Sequence, residues 1–146
     1  MIRIFFISFF LFSSNLHSAE LKPLMDVLEK RDMNDHTTIL YTLQRCAGLY
    51  ATGWDHLLDQ NPEGAEGLKY LSTKFRAHAT RFVKGAENIS QDKLFNDIHE
   101  GSLKFQTLYT DLFSKNWIEN GAYFEGTWIE GDLLVCNDIN NYLEDF

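Results

Sequence analysis

Trp117, Tyr123, Phe124 and Trp128 alternate with Glu119, Glu125 and Glu130 along the stretch WIENGAYFEGTWIEG, residues 117–131. Aromatic faces attract cations and carboxylates supply the countercharge, so this spacing suits a surface for a small cationic ligand or for a protein partner. The same rings could instead cover a groove between two helices, with Gly121, Gly126 and Gly131 giving the backbone freedom of an irregular crossing. Long connections carry function more often than helix faces do. Trp117, Tyr123, Phe124, Glu125, Trp128 and Glu130 are therefore the candidate ligand or partner surface.

Two histidines offer a second chemistry. His78 and His99 stand about equally far from a turn at 88–90, which places them at one height on paired helices, where they could ligate a metal or haem. There is no CxxCH, no Glu-x-x-His pair and no third ligand in register, so this is the alternative reading. His36 and His56 have no companion at ligand spacing. No G-x-S-x-G, H-E-x-x-H or phosphate-cradling glycine loop is present, and no nucleophile, base and orienting group come together by helical phase. The reading is non-catalytic, with no cofactor assigned. Asn88-Ile89-Ser90 is a formal glycosylation sequon.

Four segments with helical period would position these residues, after a short apolar lead-in around PLMDVLEKRD. The first, about residues 34–58, is opened by Asn34 or Asp35 and closed by the turn-rich DQNPEG. Its inward stripe is Ile39, Leu43, Cys46, Tyr50, Trp54 and Leu57, while Arg45, Asp55 and His56 point away. The second, about 63–88, aligns Leu68, Leu71, Phe75, Ala79, Phe82 and Ala86. Opposite them Lys69, Lys74, Arg76, Arg81 and Lys84 make a solvated basic face that pairs with the acidic remainder or with a partner. The third, about 90–117, begins at Ser90 and buries Leu94, Ile98, Phe105, Leu108, Tyr109 and Leu112; Gly101 on the same stripe marks a close helix crossing. The last, about 132–146, aligns Cys136, Ile139, Leu143 and Phe146.

Residues 1–19 have the parts of a secretory signal: Arg3, an apolar run from Ile4 to Phe12, then small and polar residues ending at Ala19, with cleavage after Ser18 as a variant. This nine-residue run, apolar except for Ser8, is too short to span a bilayer, which takes ~20, so a retained anchor is the lesser reading and no membrane association is expected after cleavage. Residues 20–146 then form one helical domain, periplasmic or secreted. Its 12 basic against 21 acidic residues argue against nucleic-acid binding.

The two cysteines, Cys46 and Cys136, both fall in that exported part, and in an oxidising compartment an even pair reads as one disulfide. Short turns make the first three helices successive antiparallel neighbours, and the fourth closes an all-α, antiparallel up-down four-helix bundle. First and last helices are then adjacent, and both cysteines face the space between them. A closed loop of about 91 residues would add roughly 4.6 kcal/mol in the chain-entropy model. Cys46 lies midway along its helix and Cys136 about a turn into its own, an offset of roughly 10 Å. Residues 118–131 should absorb it by folding back along the bundle.

Two resemblances complete the picture. FEGTWIEG, residues 124–131, resembles the core of one MORN repeat, but such repeats hold only when several stack, and this one runs straight into a helix. LQRCAGLYATGW, NGAYFEG and DLLVC resemble small exported helical proteins with one cysteine pair from marine bacteria. That resemblance implies a periplasmic or secreted helical protein and carries over no activity.

Overall fold

The computed structural model describes residues 21–84 and 90–144, and among them all regular structure is helical. The helices are α1 (Leu24–Leu28), α2 (His36–Leu57), α3 (Pro62–Lys84), α4 (Gln91–Asn120) and α5 (Trp128–Glu144). The signal segment 1–19, Ala86, Phe146 and the first two sequon positions lie outside the described residues. None of the described helices is long and apolar enough to cross a membrane.

Local chemistry explains most boundaries. Asp35 caps α2 by accepting from Thr38 N at 3.2 Å. Asn61 accepts from Gly64 N at 3.0 Å, and Pro62 takes the first helical position, where its missing N–H costs nothing. Gly121 ends α4 with φ 70°, the left-handed conformation that glycine adopts without a Cβ penalty. Ser90 sits at the α4 start, although its side chain makes no capping bond.

α2 lies at the centre, packed against α3, α4 and α5, and its residues 45–52 are buried on every side. The single apolar stripe expected for this helix is thus only part of its buried surface. Small residues let the neighbours in. Ser72 Oγ donates to Ala47 O at 2.8 Å, and Thr52 Oγ1 donates to Gln106 O at 3.0 Å. A Cβ on Gly48 would sit 2.6 Å from Phe105 Cβ and 2.7 Å from both Gln106 N and Ser102 O, so backbone meets backbone there. At Gly101, where a close crossing was anticipated, the nearest atoms to an added Cβ belong to the side chain of Gln44 on α2.

The Cys46–Cys136 disulfide joins α2 to α5 with Cα atoms 5.5 Å apart. α4 runs three residues further than expected, and α5 begins four residues earlier, so the connection is 121–127 instead of 118–131. The α5 start has a cause in the sequence. Thr127 Oγ1 accepts from Ile129 N at 3.3 Å while Glu130 reaches back to Gly126 N at 3.1 Å, close to the T-x-x-E capping arrangement. The extra α5 turn places Cys136 two turns into its helix, which removes much of the offset that the loop was expected to absorb.

Candidate functional site

The shortened connection turns back over the end of α4. Asn116 Nδ2 donates to Tyr123 O at 3.0 Å, and the Tyr123 ring stacks on Trp117 with centroids 4.7 Å apart and an interplanar angle of 20°. Tyr123 also meets His56 edge-on at 4.9 Å, and Phe113 lies 5.2 Å from the same imidazole. Phe124 reaches Phe113 at 6.0 Å. These rings frame a cavity of about 510 Å³ between the ends of α2 and α4, the 121–125 segment and Leu133 of α5.

Its floor is apolar, from Leu49, Leu57, Leu68 and Leu133, and its polar points are few: His56, Gln60 and Glu125. His56 Nδ1 lies 2.9 Å from Thr52 O and donates to it, so in the neutral ring Nε2 is left as an acceptor. Tyr50, on the same wall, has its phenol pushed up to about 12 by burial, so it stays protonated at neutral pH. The cavity can receive an apolar or aromatic body, with a carboxylate and an imidazole nitrogen to meet a donor.

Four of the six residues singled out from the sequence come together here: Trp117, Tyr123, Phe124 and Glu125. Trp128 and Glu130 do not. Both belong to the first turn of α5, where Trp128 packs half-buried against the core and Glu130 serves the cap. His56, expected to point away from the structure, is instead half-buried and central to the ring cluster. Its ring is held by the backbone carbonyl of Thr52, a partner that any residue type at position 52 would supply, so no sequence signal marked it.

Arg45 is the larger correction. Expected on the outside, it is fully buried and pairs with Asp132, itself 1% exposed. Its Nε donates to Tyr109 Oη and its Nη1 to Tyr41 Oη, both at 2.8 Å, and Nη2 also donates to Lys22 O. Tyr109 donates to the same Asp132 oxygen, and Leu24 N donates to the other at 2.6 Å. Burial works against the Arg45 charge, but Tyr109 and Asp132 outweigh it and raise its pKa further. Burial, then the Asp132 charge, hold the Tyr109 phenol well above its ordinary value. Every partner is a protein group, so this cluster docks α1 onto α2 and α5 and leaves no open face for a ligand.

His78 and His99 line different cavities. His78 faces Phe82, Ile139 and Leu143 near α5, and its pKa is lowered by burial and then by Arg81 and Lys74. His99 lies between α3 and α4 with Arg76. The cavities that hold them share no histidine, and no cluster of three metal-ligating side chains occurs among the described residues. The basic face of α3 is only partly solvated, since Lys74 Nζ donates to Asn140 Oδ1 at 2.8 Å and Arg76 is half-buried.

No family model matches the chain, and neither curated proteins nor solved structures yield a match, so the geometry of the cavity carries the functional reading alone.

Proposed function

We propose that this is an exported, non-catalytic helical binding module, periplasmic or secreted, whose ligand is a small molecule with an apolar body and a cationic head. The observation that carries the reading is that the stacked rings of Trp117 and Tyr123 and the exposed Glu125 line one 510 Å³ apolar cavity. Ring faces and a carboxylate together favour a cation, and the excess of acidic over basic residues draws cations toward the molecule. Export is supported by the Cys46–Cys136 disulfide, a bond that persists in oxidising compartments. The scaffold is read as an up-down bundle of α2 to α5 with α1 laid across it. Supporting that order, Leu133 stands near Leu49 while Ile139 and Leu143 stand near Ile39 and Leu43.

The test is a calorimetric titration with benzyltrimethylammonium, whose ring and quaternary head match the two halves of the cavity. Saturable binding is expected, weakened roughly tenfold or more by Trp117→Ala, and weakened less by Glu125→Gln. Trp117 is 52% exposed, so its removal should leave the unfolding midpoint in place. Equal affinity in wild type and Trp117→Ala, or no saturation, would overturn the assignment.

A further inference from the structure

A second cavity, of about 340 Å³, opens on another face between α2, α3 and α4, and its walls are rich in donors. Two of the wall residues hold buried nitrogens without a hydrogen-bond partner: Trp54 Nε1 and Arg76 Nε. Neither an indole N–H nor a guanidinium can accept, so only an acceptor can satisfy them. Leaving a buried donor unpaired is costly, and two beside one cavity is an arrangement that calls for a ligand.

The charges around them point the same way. Arg76 has no carboxylate within ion-pair distance among the described residues, and burial lowers its pKa, the mark of a cation without a countercharge. Its Nη1 lies 3.5 Å from His99 Nδ1; with that nitrogen accepting, the neutral imidazole carries its proton on Nε2, one more donor on a ring that lines the cavity. Lys69 Nζ stands 5.1 Å from the centroid of the Trp54 ring and reaches Glu66 at 3.1 Å on the exposed side. Gln106 already gives its amide N–H to Asp55 at 2.7 Å, and Thr73 gives its hydroxyl to Lys69 O. The carboxylates nearby are thus engaged with other groups, and the unmet demand is for negative charge at Arg76 and Trp54.

We propose that this cavity is a binding site for a small oxyanion, a carboxylate or a tetrahedral phosphate or sulfate, held by Arg76 and by the indole N–H of Trp54. Because both nitrogens are covered, the anion enters by displacing the Lys69 side chain from the indole face, and the freed ammonium turns to the anion as a third contact. The site is separate from the aromatic cavity and stands whether or not that one binds a cation.

The experiment is a nuclear magnetic resonance titration of ¹⁵N-labelled protein with sodium phosphate, sodium sulfate and sodium acetate, at constant ionic strength, following the Trp54 indole and Arg76 Nε–H signals. The expected result is a saturable downfield shift of both signals with at least one anion, while the Trp117 and Trp128 indoles move little. Preference for phosphate and sulfate would identify a tetrahedral ligand, and preference for acetate a carboxylate. Arg76→Gln should weaken the response roughly tenfold or more. Trp54→Phe keeps the ring and removes only the donor, so it should fold normally and bind a few-fold more weakly. Shifts that stay linear with all three anions, or that survive Arg76→Gln unchanged, would refute the site.

Discussion

The guanidinium of Arg45 and the carboxylate of Asp132 form a fully buried ion pair, 87 residues apart in sequence, and it lies beside the disulfide that joins the same two helices. Arg45 precedes Cys46 directly, and Asp132 stands one helical turn before Cys136. Covalent and ionic links therefore join one turn of α2 to two successive turns of α5. The carboxylate also takes the amide of Leu24, so this pair fixes α1 as well.

Removing one partner strands the other charge in the core. Arg45→Met or Asp132→Asn should each cost about 3–5 kcal/mol in denaturant unfolding. The double variant Arg45→Met with Asp132→Leu should recover a large part of that, because no buried charge is left. Losses that simply add in the double variant would show that the two groups act independently.

The same pair shows what the sequence could and could not convey. Helical period located α2 to α5, and the even cysteine count in an exported chain, with the inward phase of Cys46 and Cys136 on adjacent first and last helices, led to their bond. Arg45 was misplaced because helical phase was read as one buried stripe, whereas α2 is packed against three other helices. Charge is a good guide to exposure only when no buried partner waits for it, and Asp132 is remote in sequence. In the candidate site, Trp117, Tyr123, Phe124 and Glu125 were legible as an aromatic and acidic cluster. Trp128 and Glu130 were misread since the glycines around TWIE suggested loop, although T-x-x-E is itself a helix-start signal. His56 was missed because its companions, Phe113 and Tyr123, come from other elements and only tertiary packing brings them to it.

Gly48 marks the tightest helix contact. Gly48→Ala should destabilise the protein by roughly 1–3 kcal/mol, since a methyl there meets α4 backbone that cannot step aside. Gly101→Ala meets first the Gln44 amide, which can rotate, and alanine favours helix by ~1 kcal/mol, so this change should be near neutral. Thermal midpoints of the two variants compare the sites directly; a Gly48→Ala midpoint equal to wild type would disprove the close approach.

Alkaline pH should weaken the fold. Free tyrosine ionises near pH ~10, but in the folded protein burial pushes Tyr50 up to about 12 and holds Tyr109 higher than usual as well. Above pH ~10 the unfolded chain therefore binds fewer protons than the native one, and stability falls as pH rises. Below that value the contribution is fully present. Denaturant midpoints measured from neutral pH to pH ~11 should be flat and then decline, and Tyr50→Phe should reduce the decline. A midpoint that stays level throughout would contradict the burial of these phenols.

The most direct test of the binding reading is to locate the probe on the protein. With isotopically labelled protein and benzyltrimethylammonium, nuclear Overhauser contacts should connect the methyl protons of the probe to ring protons of Trp117 and Tyr123, and its phenyl protons to Phe113 and Leu133. Binding without these contacts, or contacts confined to another face, would contradict the claim that the aromatic cavity is the site at which this protein works.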